Sequence, residues 1–350
     1  MAPNTRNSNK SGPLSPERWR FTKNELSPKV RHKTFGVQFR IRSVFRLLMA
    51  CSAILFTACA SRHQAVKPSV PDRYDVEKLQ YTLKAIAGEY PAETGIALIT
   101  DRADTVTVDN DDKYPLMSVF KLHQAVSLCH YLEKRGISLD SAVVIRRDET
   151  NPHTWSPMLK DYPAGDIKIS IRELLRYTLM QSDNNASNYM FEHIQPVGDA
   201  DAFTATLIPR GSFRLNVTEA QMGADHDLCR ENHSSPLGAA ILIDRLYTDS
   251  IIGEDNAQFI RTTLQECRTG TDRIVAPLAG REGVVVGHKT GSGFRNEKGI
   301  LGAHNDVAFV SLPDGRHYTL AVFVKDFNGS EEEAARAIAR ISGAVYDLLR

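Results

Sequence analysis

Ser118-Val-Phe-Lys-Leu-His-Gln-Ala-Val-Ser-Leu-Cys-His-Tyr-Leu-Glu-Lys134 decides the fold. Val119, Phe120, Leu122, Val126, Leu128 and Leu132 occupy nearly every side of a helical wheel, and Gly136 stops the run. A helix that is apolar on most sides is a buried, central one. Ser118 and Lys121, three apart at its start, fall on one face about one turn apart. A serine hydroxyl is a poor nucleophile until a base takes its proton, and a lysine desolvated at a helix start can serve as that base. The helix N-terminus also points backbone N–H groups at any oxyanion that forms nearby. The plain alternative is an N-cap serine beside a solvated lysine. The apolar surround of the helix argues against it.

Tyr74–Ala87 has helical spacing, with Leu79, Leu83 and Ile86 on one stripe, and two strands follow at Thr94–Thr100 and Thr105–Val108. After the central helix, Ser170-Ile-Arg-Glu173 reads as a capping box opening a helix to about Gln181. Residues 195–227 show neither period and hold Pro196 and Pro209. A loop that long in a compact domain is usually functional. The chain then returns to strands at Gly283–His288, Asp306–Leu312 and Tyr318–Lys325, and Ser330–Arg350 closes it as an amphipathic helix. The expected organisation is an α/β (α+β) protein. Residues 74–116 and 265–350 form a mixed lobe built from both chain ends, and residues 117–264 form an inserted all-helical lobe. Residues 61–73 are a linker and 1–60 an N-terminal extension with an export signal.

The formal net charge of +1 hides an asymmetry. Up to Ala60 the chain holds 11 Lys or Arg against 2 Asp or Glu, so the rest is strongly acidic. An acidic body with no basic stripe excludes a nucleic-acid partner. Arg40, Arg42 and Arg46 precede an apolar run from Leu47 to Ala60 that ends in small residues. That is an export signal, too short to span a bilayer. Ala58-Cys59-Ala60 fits ordinary signal peptidase, whereas Leu55-Phe-Thr-Ala-Cys59 fits lipoprotein processing, with Cys59 acylated. Beyond Ala60 only Cys129, Cys229 and Cys267 remain, too few for a disulfide-stapled scaffold. Scattered histidines and cysteines give no metal-ligand spacing.

Two further motifs carry chemistry. Ser182-Asp-Asn184 lies in the turn after the capped helix. It reads either as an ordinary Asx turn, or as Ser182 relaying a proton to a leaving nitrogen with Asn184 bonding a substrate amide. Lys289-Thr-Gly-Ser-Gly293 lies at the end of the strand Gly283–His288. Glycine there lets a ligand backbone approach a sheet edge. Lys289 supplies a cation for a carboxylate, with Thr290 and Gly291 beside it, and the Ser292 N–H completes an oxyanion hole with that of Ser118.

The three motifs in this order are the set shared by class A β-lactamases and penicillin-binding proteins. From about Tyr74 to Arg350 the sequence resembles a class A serine β-lactamase, most of all the cephalosporinase branch that includes the CfxA-type enzymes. Supporting stretches are Asp148-Glu-Thr-Asn-Pro-His-Thr-Trp155, Thr218-Glu-Ala-Gln-Met222 and Ala303-His-Asn-Asp306. The resemblance implies an antiparallel sheet flanked by helices, β-lactam substrates with cephalosporins preferred, no cofactor, a periplasmic or secreted location and a monomer. It also implies an omega loop whose glutamate activates the deacylating water. Glu219, 35 residues after Asn184, matches that position.

Two residues depart from the family pattern. Gly223 stands where an asparagine usually helps to hold the water, and Val217 where an arginine usually clamps the loop. Arg273 resembles an auxiliary carboxylate clamp. Trp155 reads equally as a residue at the mouth of the site or as a core tryptophan. Ser118 would attack the lactam, its proton passing to Lys121 directly or through a water to Glu219. The rivals are a penicillin-binding D,D-peptidase that stalls at the acyl-enzyme and a silent β-lactam sensor.

Overall fold

The computed structural model describes residues 74–111 and 113–350. The export signal, Cys59 and the linker 61–73 lie outside the described residues. From the N-terminal side the elements are α1 (Val76–Ala87), β1 (Glu93–Thr100), β2 (Thr105–Val108), β3 (Tyr114–Pro115), α2 (Phe120–Glu133) and β4 (Ala142–Ile145). Next come α3 (Pro157–Asp161), β5 (Ile167–Ser170), α4 (Ile171–Met180), α5 (Asn184–His193), α6 (Val197–Thr204), β6 (Phe213–Arg214), α7 (Glu219–Ala224) and β7 (His233–Ser234). The chain closes with α8 (Pro236–Thr248), α9 (Glu254–Gln265), β8 (Val285–Ser292), β9 (Leu301–Ser311), β10 (His317–Phe327) and α10 (Glu331–Leu349).

The main sheet has the order β2-β1-β10-β9-β8 and is antiparallel throughout. Side chains alternate across it, as the period of two requires. Ile96, Leu98, Leu320 and Val322 face one way, into a core shared with Leu79 and Leu83 of α1 and Ile338, Ile341 and Val345 of α10. Ala97, Ile99, Ala321 and Phe323 face the other way, into a second core. There α8 lies on β1, β9 and β10, and α9 lies on β8. Burial on both faces explains why these antiparallel strands read as continuous apolar runs and not as alternating ones. Each fully buried Leu, Ile or Phe contributes about 1.5–3 kcal/mol.

The buried helix α2 packs against α4, α6, α8 and α9, with Phe120, Leu122, Val126, Leu128 and Leu132 at 1% exposure or less. Its first residues differ from the expected regular helix, since Met117–Val119 is a tight 3-10 turn that leads into it. Two other expectations change. Residues 195–227 are not one irregular loop, because α6 and α7 lie inside them. Val-Gly-Asp-Ala-Asp-Ala-Phe-Thr in α6 is only two turns long, too short for a periodic stripe to stand out. The last long edge strand does not end at His288. It runs on through Lys289, Thr290 and Gly291 to Ser292, paired residue by residue with β9 (Thr290 opposite Asp306, Ser292 opposite His304). Glycine inside the motif disguised a continuing strand.

Candidate active site

The turn that carries Ser118 is held from three sides. Met117 sits at φ +45°, a strained backbone for a side chain of its kind. The Asn305 amide donates to the Pro115 carbonyl at 2.7 Å, and the Leu116 N–H donates to the Asn232 carbonyl at 2.8 Å. β8 presses against the turn at Gly291, where an added Cβ would lie 2.4 Å from the Leu116 carbonyl oxygen. Only glycine lets the strand come that close. The close approach sets Ser292 on β8 beside the start of α2.

Lys121 is fully buried one turn into α2. Its ammonium lies 3.1 Å from the Ser118 Oγ, 2.8 Å from the Ser182 carbonyl, 2.7 Å from the Asn184 Oδ1 and 2.8 Å from the Glu219 Oε1. With the Ser182 Oγ at 3.4 Å, five acceptors surround three N–H bonds, so not all of them can be satisfied by Lys121 at once. Ser118 Oγ in turn lies 3.3 Å from Glu219 Oε1. Both candidate bases therefore lie within reach of the Ser118 hydroxyl.

Ser182 occupies a left-handed backbone position, φ +59°, that aims its hydroxyl between the two lysines. Its Oγ lies 3.4 Å from the Lys121 Nζ and 3.1 Å from the Lys289 Nζ. The strain is fixed by its neighbour. Asp183 is completely buried, caps α5 through the Ala186 N–H at 2.9 Å, and accepts from Ser156 Oγ and the Met158 N–H, each at 2.8 Å. Burial holds its pKa above the ordinary carboxylate value, and these donors oppose that shift only in part. Asn184 donates to Thr154 Oγ1 at 2.9 Å, which orients its carbonyl toward Lys121. Trp155 settles the open choice against a core position. It is 56% exposed, and its ring N–H donates to the Gln181 carbonyl at 2.8 Å.

Glu219 opens α7, a helix capped by a reciprocal Thr218–Gln221 box. Val217, which stands where the family pattern has a clamping arginine, is held by its backbone. Asn232 accepts from the Asn216 and Val217 N–H groups at 2.7 and 3.0 Å and donates to the Val217 carbonyl at 2.8 Å. Asn188 Oδ1 accepts from the Ala220 N–H at 3.0 Å, fixing the residue after the glutamate. Gly223 is exposed, and a Cβ added there would meet nothing within 4 Å, so the space beside the loop is open. Asn188, Asn232 and Asn305 went unassigned in the sequence. Asparagine carries no local signature there, and each acts on backbone far along the chain.

On the other wall, Lys289 is fully buried, and burial pushes its pKa down to about 7, with the Lys121 cation adding to the effect. It donates to Ser182 Oγ and, at 2.8 Å, to the Thr290 carbonyl. Arg273 is buried and spans the strand end. Its guanidinium donates to the Gly291 and Asn305 carbonyls at 3.1 and 2.7 Å and to Ser292 Oγ at 2.6 Å. Ser118, Lys121, Ser182, Asn184, Glu219 and Lys289 thus form one bonded cluster. Thr290, Gly291, Ser292 and Arg273 form its adjoining wall, and Trp155 lies on its outer side. Among the described residues no group of three or more His, Cys, Asp or Glu side chains could hold a metal ion.

Known proteins share the fold that carries this cluster. Residues 78–349 match the model of the Beta-lactamase enzyme family. A beta-lactamase of Phocaeicola vulgatus is 49% identical over 87% of this chain and 95% of that protein. The extended-spectrum beta-lactamase PER-1 of Pseudomonas aeruginosa is 30% identical over 77% of this chain and 86% of its own length. The solved structure of a class A beta-lactamase from Bacteroides cellulosilyticus superposes with a TM-score of 0.75 at 32% identity, covering 79% of this chain and 99% of that one. A buried serine–lysine pair, a second serine between two lysines and a glutamate within reach of the nucleophile sit in a fold shared with these proteins. The chain belongs to the beta-lactamase enzyme family and is a class A serine β-lactamase.

Proposed function

We propose that the chain opens β-lactams by acylation of Ser118 and releases the product through a water activated by Glu219, with cephalosporins preferred over penicillins. The observation that carries the reading is the position of Glu219 Oε1, 3.3 Å from Ser118 Oγ and 2.8 Å from Lys121 Nζ. A carboxylate there can share the proton of the attacking hydroxyl with Lys121 and afterwards take one from water at the same place. The lactam carbonyl oxygen sits between the Ser118 and Ser292 N–H groups. Lys289 and Thr290, with Arg273 behind them, receive the substrate carboxylate, and Asn184 receives the side-chain amide. Ser182, bonded to both lysines, passes a proton to the departing nitrogen.

Deacylation separates this enzyme from a penicillin-binding protein. Turning an hours-long acyl-enzyme into about 10 turnovers per second requires roughly 10⁵-fold, or ~7 kcal/mol. A general base supplies about 10²–10⁴ of it, and fixed positioning of the water supplies the rest. The cephalosporin preference rests on the resemblance to the cephalosporinase branch and on the open space at Gly223. Export to the periplasm, signal peptidase or lipoprotein processing at Cys59, and a monomeric state complete the proposal, the first two resting on the basic and apolar run that ends at Ala60 and the last on the family resemblance.

Steady-state kinetics on a penicillin, an early cephalosporin and an oxyimino-cephalosporin test the reading. Continuous turnover with the larger kcat/KM for the early cephalosporin is expected. A single stoichiometric burst would make the protein a penicillin-binding type, and a penicillin preference would remove the substrate assignment.

A further inference from the structure

Directly behind the substrate wall lies a second array that the mechanism does not use. His288 precedes Lys289 on β8 and is almost completely buried. Its Nδ1 meets the Asp306 carboxylate at 3.1 Å, and the ring also hydrogen-bonds the Cys267 sulfur. Asp306 is oriented in turn by the Ile274 N–H at 3.1 Å. A nucleophile, a base and a carboxylate that orients the base make the general pattern of an activated thiol. Burial of the sulfur opposes ionisation, but the bond to His288 and the nearby His288 and Lys289 cations outweigh it and bring the thiol down to about 7. His288 itself is raised to about 10: burial works against its charge, and Asp306 and Cys267 overcome it.

Three features separate Cys267 from an inert core cysteine. Cys129 and Cys229 are buried, whereas Cys267 is partly exposed. Burial raises the thiols of both others, that of Cys229 to about 11. Cys267 is also wired to the substrate wall, since its sulfur lies 3.4 Å from Thr269 Oγ1, which lies 2.6 Å from Thr290 Oγ1.

We propose that Cys267, with His288 and Asp306, is a thiol-modification site for low-molecular-weight disulfides, and that modification there disables the Lys289–Thr290 wall. The sulfur of Cys267 attacks one sulfur of the disulfide, the S–S bond breaks, and a new S–S bond forms to Cys267. The proton that left the Cys267 thiol, held by His288, goes to the departing thiolate. The balance is one protein thiol and one disulfide giving one mixed disulfide and one small thiol, with no other oxidant. The adduct removes the anion that favours the charged form of Lys289 and puts bulk against Thr269, so the wall loses both charge and shape. This second half rests on the assignment of Lys289 to the substrate carboxylate.

The test uses the full chain and bis(2-hydroxyethyl) disulfide at pH 7. Peptide mapping is expected to place an adduct on Cys267 while Cys129 and Cys229 stay free, and a reducing agent should remove it and restore activity. His288→Asn is expected to slow the reaction about five- to tenfold, the gain in thiolate being offset in part by the weaker nucleophilicity of an acidic thiol. No adduct on Cys267 in the native wild-type protein, or equal labelling of Cys129, Cys229 and Cys267, would overturn the site. That result needs no variant and no β-lactam. An adduct that leaves kcat/KM unchanged, or that lowers it equally for a cephalosporin and its carboxylate ester, would overturn the coupling to Lys289. Cys267→Ser treated and untreated should give the same rate, whatever that rate is.

Discussion

The acylating cluster and the Glu219 loop are built on opposite electrostatic plans. Around Ser118 two lysines are fully buried and compensated by carbonyls, hydroxyls and one carboxylate, in a network where each charge is another group's partner. Removing one member there leaves a desolvated charge unpaired, which is strongly destabilising. The neck of the Glu219 loop is instead tied by neutral amides, Asn232 and Asn188, bonded to backbone. Such a clamp has less to lose and holds by geometry alone. On the proposed mechanism, the residues of acylation are therefore anchored by charge and the loop that carries Glu219 by neutral amides.

Ser118→Ala breaks the first region outright. Loss of the nucleophile is expected to lower kcat by about 10⁴–10⁶ and to abolish covalent labelling by a penicillin. Intact-mass measurement that still found one adduct would move the nucleophile elsewhere. Glu219→Ala tests the second region. Lys121 remains 3.1 Å from the hydroxyl, so acylation should survive while turnover falls by about 10²–10⁴. A stoichiometric burst with a stable adduct on Ser118 is expected, and turnover at the wild-type rate would assign water activation to another group.

The contrast also explains what could be read from the chain. Ser118 with Lys121, Ser182 with Asn184, and Lys289 with Ser292 each compress a chemical requirement into four residues or fewer; each spacing is weak alone, and the three in order expose them through the family resemblance. The strands of the main sheet were visible in the sequence, though not their burial on both faces, and α1, β2 and α10 fell where their periods and caps put them. Asn305 reaching Pro115 across 190 positions, or Asn232 reaching back to Val217, has no local pattern, because backbone satisfaction decides it only after the chain has folded. The same holds for Cys267, His288 and Asp306, which sheet register and the end of α9 bring together. The full extent of β8 was hidden for another reason. Its glycines are required by close packing, and in sequence they imitate a strand end.

Lys289→Ala is expected to have a smaller effect than either catalytic change, about 10–100-fold in kcat/KM for a carboxylate-bearing substrate. The loss should shrink for the corresponding ester. The pH dependence follows from burial, which favours the neutral amine and sets its pKa near 7. Lysine is charged below its pKa, so attraction for the substrate carboxylate is present on the acid side and fades as pH rises through about 7. The ratio of kcat/KM for acid to ester should fall over that range. A ratio flat from pH 6 to 9 would exclude Lys289 as the carboxylate's partner.

Asn232→Ala gives the smallest expected effect and bears most directly on the neutral clamp. The amide is completely buried and makes three hydrogen bonds to residues 216 and 217. Truncation leaves two N–H groups and one carbonyl to find other partners, at a cost of about 1–3 kcal/mol in stability. Deacylation should slow more than acylation, because the Asn232 side chain ties the loop that carries Glu219, whereas the Ser118 turn meets residue 232 only through its backbone carbonyl, which the substitution leaves in place. Asn232→Asp is the sharper variant. It keeps two acceptors but has no donor for the Val217 carbonyl, and it places a charge at a buried site where its bonded neighbours are all neutral backbone. Burial raises the pKa of such a carboxyl above its unfolded value, so its penalty is present at neutral pH and is relieved as pH falls and the group protonates. Thermal melts should therefore show the Asp variant less stable than the Ala variant at pH 7.5, with the gap closing toward pH 5. An Asp variant as stable as the wild type at pH 7.5 would mean that a cation compensates the loop neck, and the contrast between a charged cluster and a neutral clamp would fall.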